Sequence, residues 1–135
     1  MKRIIIAFFL AYCSFTGCKE PIKPAEPKRF GSVTGLKPEK IAYYKKLHAY
    51  VWPAVLKKIK ECNIRNYSIY FKKIDSAYYL FSYFEYTGNN FEEDMKKMSR
   101  DPDTQRWWKE TDPCQQPITG SDKIWSPMEE VFHTN

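Results

Sequence analysis

The stretch YYKKLHAYVWP, residues 43–53, organises the rest of this chain. Tyr44, His48 and Trp52 recur every four residues, so in a helix they share one face. A histidine between two aromatic rings makes an apolar wall that carries a single titratable group. Such a face is either core, with the histidine satisfied by one hydrogen bond, or the wall of a binding site. Two more aromatic clusters favour a site, namely NYSIY at 66–70 and QRWWK at 105–109.

The apolar pattern around this stretch predicts alternating strands and helices. Helical spacing runs from 38 to 62, and Trp52-Pro53 should kink or break that helix because proline lacks a backbone donor. Alternation between turn residues predicts strands at 30–36, 66–72, 77–86 and 128–133. Capping residues predict further helices at 91–100 and from Pro102 onward. The order strand, helix, strand, strand, helix, strand is that of an α+β, ferredoxin-like split βαβ sandwich.

The composition describes one domain rich in aromatic residues. A chain of 135 residues is long enough for one core. Aromatic residues make up 17% of it, so they either fill the core or line a site. The formal net charge of +6 is spread along the chain, without the clustered stripe that a nucleic-acid-binding surface needs. No Cys/His spacing indicates a metal site.

The start of the chain suggests export. Basic residues precede an apolar run at 4–12, too short to span a bilayer as a helix, which takes about 20 residues. FTGC at 15–18 resembles a lipoprotein lipobox and makes Cys18 the expected lipidation site; an ordinary signal or an anchor helix is the alternative. Cys62 and Cys114 would then remain and could pair in an oxidising compartment. We therefore expect a periplasmic or outer-membrane lipoprotein, with a signal peptide at 1–17, a proline-rich tether at 18–28 and a folded domain at 29–135.

Four separated motifs resemble those of the L-rhamnose mutarotases, small isomerases that interconvert sugar anomers. The motifs are Tyr44-x-x-x-His48 followed by VWP at 51–53, NY-x-IY at 66–70, QRWW at 105–108, and EVF at 130–132. The resemblance implies a ferredoxin-like, dimeric α/β barrel, hence a homodimer, and a racemase/epimerase-type activity without a cofactor. It implies that His48 transfers the proton, and that the sugar is bound by Tyr44, Tyr67, Trp107 and Trp108.

Two features depart from this resemblance. Members of the family are soluble cytoplasmic proteins without a signal, whereas the start of this chain suggests a lipid anchor. Residues 109–125 do not follow the family pattern, so they could reshape the mouth of the pocket and change the sugar.

The residue types suit anomer exchange by themselves. The sugar ring opens when one group takes a proton from the anomeric hydroxyl and another protonates the ring oxygen. Histidine, with an ordinary pKa of about 6.5, can do either near neutral pH. Aromatic faces suit the C–H side of a sugar, and an apolar wall suits the methyl group of a 6-deoxyhexose such as L-rhamnose. No spacing selects the second acid–base group among Asp112, Glu129 and Glu130.

Other interpretations are compatible with the sequence. Trp107 and Trp108 cannot both face one direction on a helix, so one of them could belong to the core or to a dimer interface. The alternative function is a non-catalytic sugar-binding lipoprotein with the same aromatic pocket. A haem-binding or monooxygenase-type barrel is a third class that rests on fold analogy alone. His48 favours the enzyme, because a pure binder could use any hydrogen-bonding group at that position.

Overall fold

The computed structural model describes residues 26–134 of the chain, which alternate between strands and helices. Five strands form one sheet: β1 (Lys28–Leu36), β2 (Ile64–Ile74), β3 (Ala77–Tyr86), β4 (Gln115–Gln116) and β5 (Ser126–Met128). Four α-helices complete the fold: α1 (Ile41–Ala49), α2 (Pro53–Glu61), α3 (Phe91–Ser99) and α4 (Pro102–Thr111).

The sheet has the strand order β2-β3-β1-β4, and β5 also pairs with β1. Every pairing is antiparallel, and the sheet curls into an open half-barrel. Strand β1 is therefore central, because β3 covers one of its edges and the two short C-terminal strands share the other. This arrangement confirms the predicted α+β, ferredoxin-like fold class.

The predicted break in the first long helix is present and separates α1 from α2. Helix α1 ends at Ala49, and Trp52 is extended, with φ −60° and ψ 132°. Pro53 then occupies the first turn of α2, where its missing N–H costs nothing. The residue before a proline is sterically pushed out of the helical region, so the Trp52-Pro53 pair fixes where the axis changes.

Short polar caps fix the starts of α3 and α4. The Asn90 side chain accepts a hydrogen bond from the backbone N–H of Glu93 at 3.2 Å, and the Asp101 side chain accepts one from that of Thr104 at 2.9 Å. Each cap satisfies a backbone donor that has no partner within the helix. The predicted starts of both helices are thereby confirmed, and α4 carries the two adjacent tryptophans.

The last strand lies earlier in the sequence than predicted. We expected a strand at 128–133, whereas β5 covers Ser126–Met128 and no regular element follows it within the described residues. Pairing with β1 decided this, because Ser126 faces Val33 and Met128 faces Gly31 in the ladder. Beyond β5 the chain is held by side chains instead: Arg29 donates two hydrogen bonds to Glu130, at 2.8 and 3.0 Å.

The core lies between the sheet and the start of α1, around Leu36, Tyr44, Leu80 and Cys114. Cys62 and Cys114 are both buried and both free thiols, so they do not form the disulfide that was considered possible. No helix between residues 26 and 134 has the length and apolar character needed to cross a membrane.

Candidate active site

A cavity of about 1180 Å³ lies against the sheet, walled by side chains from all four α-helices. All five residues predicted to transfer the proton or bind the sugar line it: Tyr44, His48, Tyr67, Trp107 and Trp108. These residues come from α1, β2 and α4, which are far apart in the sequence. The fold thus brings the predicted residues to one cavity, while their roles stay predictions.

His48 is half-buried near the end of α1, and one of its ring nitrogens forms a hydrogen bond. Its Nδ1 lies 2.9 Å from the backbone carbonyl oxygen of Tyr44. A carbonyl only accepts, so Nδ1 carries the proton in the neutral ring and Nε2 is left with a free lone pair. Burial lowers the pKa of His48 below its ordinary value, although the hydrogen bond to Tyr44 opposes this. The ring is therefore neutral at pH 7 and can accept a proton at Nε2.

Aromatic contacts on two sides fix the orientation of the imidazole. The His48 ring stacks on Tyr44, with centroids 4.1 Å apart and planes inclined by 26°. Trp107 meets it edge-on, with centroids 5.3 Å apart. Trp52 in turn packs edge-on against Trp107, also at 5.3 Å. The predicted shared face therefore holds for Tyr44 and His48, whereas Trp52, lying beyond the helix break, supports Trp107 from behind.

The two predicted sugar-binding tyrosines differ in exposure. Tyr44 is 4% exposed and belongs to the core, whereas Tyr67 is 44% exposed. Burial is the main cause that raises the pKa of Tyr44. The Tyr67 side chain is partly exposed as a whole, but the loss of hydration within the cavity raises the pKa of its hydroxyl as well. Both hydroxyls therefore keep their protons near neutral pH and can donate hydrogen bonds to sugar oxygens.

Tyr67 lies within a β-bulge of β2, in the middle of the residues of this strand that line the cavity. The register between β2 and β3 shifts between Arg65 and Ser68, and Asn66 has a φ of +49°. The Tyr67 ring contacts Phe84 of β3 edge-on at 5.6 Å. Beyond the bulge, Ile69 and Phe71 also line the cavity, so the predicted alternation of this strand gives its inner face.

The adjacent tryptophans of α4 divide into a buried one and a more exposed one. Trp107 is 6% exposed and Trp108 is 37% exposed. Both still line the cavity, since a helix turns about 100° per residue and the cavity wall wraps around this side of α4. Trp107 is thus part of the core as well as of the wall, which sequence reasoning left open for one of the pair.

The segment after the tryptophans adds cavity residues that the sequence did not single out as binding residues. Gln115, Ile124 and Trp125 line the cavity, as does Asp112. Asp112 was one of three carboxylates considered for acid–base chemistry. The other two, Glu129 and Glu130, lie at a separate small cavity of about 270 Å³ beside Arg29. The only signal in the sequence was that residues 109–125 depart from the pattern of the family.

Nothing in the described part of the chain, residues 26–134, resembles a metal centre. No group of three or more His, Cys, Asp or Glu residues there stands close enough to hold an ion. The cavity wall itself offers one imidazole, one carboxylate, two protonated phenols, several apolar faces and the cationic side chains of Lys45, Lys60 and Arg65.

Comparisons with known proteins show the family to which the chain is similar. The sequence model of the L-rhamnose mutarotase family matches residues 29–134. L-rhamnose mutarotase from Oceanobacillus iheyensis is 31% identical over 106 residues, which cover 78% of this chain and 97% of that protein. The protein of that name from Phocaeicola vulgatus is 33% identical over 104 residues, 73% of this chain and 89% of the relative. The crystal structure of L-rhamnose mutarotase from Formosa agariphila is 22% identical, with a TM-score of 0.61 over 80% of this chain and 99% of that one.

These relatives contradict the expected location. They are named as L-rhamnose mutarotases, and the expectation of a periplasmic or outer-membrane lipoprotein is wrong. The composition of the first residues had suggested it, but short apolar runs with a nearby cysteine are weak signals by themselves. Cys18 and the predicted signal peptide at 1–17 lie outside the described residues, and so does most of the predicted tether at 18–28.

The family match begins inside β1 and extends through the segment that follows β5, so it covers the whole fold. The relative from Oceanobacillus iheyensis aligns along nearly its full length, and the fold of a solved mutarotase superposes on 80% of this chain. The chain belongs to the L-rhamnose mutarotase family of isomerases.

Proposed function

We propose that this protein interconverts the α and β anomers of L-rhamnose by ring opening, with His48 as the proton-transferring residue. The observation that carries the proposal is a half-buried imidazole at the cavity wall, with Nδ1 held by the Tyr44 carbonyl oxygen and Nε2 without a hydrogen-bond partner among residues 26–134. The alternative of a non-catalytic sugar-binding lipoprotein has no support, because the relatives are named as enzymes.

The proposed reaction needs one proton to move between two oxygens on the same carbon. Nε2 takes the proton of the anomeric hydroxyl as the bond between C1 and the ring oxygen breaks and C1=O forms. The imidazolium then gives that proton to the former ring oxygen. After rotation about the C1–C2 bond the steps run in reverse and yield the other anomer. A positioned acid–base group of this kind contributes typically about 10²–10⁴-fold in rate.

The cavity walls suit a 6-deoxy sugar. The partly exposed rings of Trp108 and Tyr67 offer flat faces to the C–H side of a pyranose. Apolar side chains such as Val55, Ile59 and Met98 line the same cavity and can take up the methyl group of the sugar. The tyrosine hydroxyls supply donors for its oxygens.

We expect the rate of L-rhamnose anomer exchange to fall as the pH drops through the pKa of His48. Burial lowers that pKa below the ordinary 6.5, so the rate should be level from pH 8 to about 6.5 and fall tenfold per unit below the pKa of the folded protein. Exchange between the α and β NMR signals measures it, after subtraction of the rate in buffer alone.

Stability must be measured at each pH as a control, because protonation of His48 also affects folding. Since the folded-state pKa is depressed, the stability that neutral His48 contributes is present above about pH 6.5 and lost as the pH falls towards the folded-state value. Thermal melts at each pH therefore limit the range that is interpreted. A rate that stays level while the protein remains folded well below pH 5 would contradict a neutral His48 as the starting form.

We also infer a homodimer. On β2, the outermost strand of the sheet, Tyr70 and Ile74 are 63% and 44% exposed and do not line the cavity. Near the C-terminus Val131 and Phe132 are 89% and 79% exposed. Apolar surface on an edge strand is commonly covered by a partner. Sedimentation velocity at micromolar concentration should give twice the monomer mass, and a single monomeric species would contradict the dimer.

A further inference from the structure

Asp112 is the only carboxylate among the described residues that line the active-site cavity. Helix α4 ends at Thr111, and Asp112 opens the 3₁₀ turn Asp112–Cys114 that leads into β4. We propose that Asp112 and Gln115 together form an acceptor corner that binds ring hydroxyls of the sugar and thereby selects the substrate. This inference rests on the proposed function and deepens it, because it names residues that determine specificity.

The carboxylate of Asp112 is not engaged by a cation. Within residues 26–134 no lysine or arginine nitrogen lies within salt-bridge distance of it, whereas Asp101 pairs with Lys58 at 3.3 Å and Asp103 pairs with Arg106. Asp112 is solvent-exposed and also lines the cavity, so it lies where a sugar entering from solvent would meet it. The Thr111 side chain interacts with this carboxylate, but a carboxylate has about four lone-pair sites, so acceptor capacity remains for a sugar hydroxyl.

Gln115 supplies a second acceptor that lacks a partner. The residue is 5% exposed and lines the cavity, and its Oε1 is buried with no hydrogen-bond partner among the described residues. Buried side-chain acceptors are nearly always paired in folded proteins. The terminal amide has a broad, soft torsion, so a hydroxyl arriving beside it can supply the missing donor.

Tyr44 locates the acceptor corner relative to His48. Tyr44 packs in the same core cluster as Cys114, which lies between Asp112 and Gln115 in the chain, and the His48 ring stacks on the ring of the same tyrosine at 4.1 Å. The corner and the imidazole are thus both adjacent to Tyr44. A sugar whose anomeric carbon lies at His48 would place its ring hydroxyls at the corner.

The acceptor corner also supplies the hydrogen-bond acceptors that the other charged side chains of the cavity lack. The other charged side chains that line it, Lys45, Lys60 and Arg65, can only donate hydrogen bonds. A sugar hydroxyl needs an acceptor for its own proton, which Asp112 and Gln115 provide. A site built to bond a hydroxyl rejects an analogue that lacks it far more strongly than an apolar pocket rejects an extra group.

Dissociation constants for L-rhamnose and for its 2-, 3- and 4-deoxy analogues test the corner directly. With the wild-type protein we expect removal of one ring hydroxyl to weaken binding about 10–100-fold, as for a hydrogen bond to a charged group. Asp112→Ala should weaken L-rhamnose binding by a similar factor and abolish the penalty for that same analogue, with Asp112→Asn in between. Should the alanine variant fail to fold, the asparagine variant is judged by the same criterion.

Two matched controls separate this role from a structural one. Glu110 lies on the same helix end, but its carboxylate accepts from the Tyr43 hydroxyl outside the cavity, so Glu110→Ala should leave all four dissociation constants unchanged. Gln115→Met should weaken L-rhamnose binding, whereas Gln116→Met, at the neighbouring exposed position, should not.

If the deoxy analogues lose the same factor in affinity with Asp112→Ala as with the wild type, the proposed role of the acceptor corner is contradicted. Binding is measured separately from turnover, so the two proposals fail differently. Loss of the proposed function would appear as tight sugar binding without anomer exchange, while the analogue penalties would still decide the role of Asp112.

Discussion

Replacing His48 by asparagine should lower the rate of L-rhamnose anomer exchange about 10²-fold or more. Asparagine keeps a similar shape and a hydrogen-bonding edge towards the Tyr44 carbonyl oxygen, which accepts from Nδ1 in the native protein. It cannot take up a proton near neutral pH. The loss should therefore appear in turnover at saturating sugar and leave the dissociation constant of L-rhamnose nearly unchanged. NMR magnetisation exchange gives the first quantity, and titration of the sugar signals gives the second.

A thermal melt of the same variant distinguishes chemistry from folding. If His48 were mainly a core residue, its loss would lower the melting temperature and weaken sugar binding together with exchange. Tyr67→Phe is the matched comparison, because it removes a hydroxyl from the same cavity and keeps the ring contact with Phe84. It should weaken binding more than turnover. A His48→Asn variant that is folded and exchanges anomers at the wild-type rate would remove His48 from the mechanism.

Replacing Trp107 by alanine should destabilise the protein by about 3–5 kcal/mol, the usual cost of deleting a large buried aromatic side chain. Trp107 is 6% exposed and contacts both His48 and Trp52. Its removal takes away the support of the imidazole and leaves a hole between α4 and the helix break. The free energy of unfolding in urea should fall by that amount, and sugar binding should weaken along with it.

Trp108→Ala is the matched control, since the neighbouring side chain is 37% exposed and lines the same cavity. It should lower the free energy of unfolding by less than half as much, while still weakening sugar binding through the lost flat face. Equal destabilisation by the two substitutions would contradict the division of the pair into a core residue and a surface residue of the cavity.

Local chemistry accounts for the parts of the fold that were predictable. The break before Pro53 follows from proline's missing donor, and the starts of α3 and α4 follow from the caps Asn90 and Asp101. Strand β3 was predicted with its observed bounds. The position of the last strand was predicted wrongly. Its apolar alternation indicated residues 128–133, whereas the strand forms where the chain pairs with β1. No local sequence pattern encodes that pairing.

Residue spacing predicted only those contacts of the site that lie within a single helix or strand. The stacking of Tyr44 and His48 follows from their four-residue separation on α1. The contact between His48 and Trp107 depends on how α1 and α4 meet, so the sequence supplied it only through the family resemblance. Asp112 and Gln115 reach the cavity through the turn after α4, which sequence spacing cannot position.

The most direct test of the central claim is magnetisation exchange between the α and β anomeric NMR signals of L-rhamnose, with and without the wild-type protein near pH 7. We expect exchange that exceeds the rate in buffer, rises in proportion to protein concentration, and disappears with His48→Asn. An exchange rate equal to that in buffer, with sugar binding demonstrated in the same sample, would contradict mutarotase activity and leave a protein that only binds the sugar.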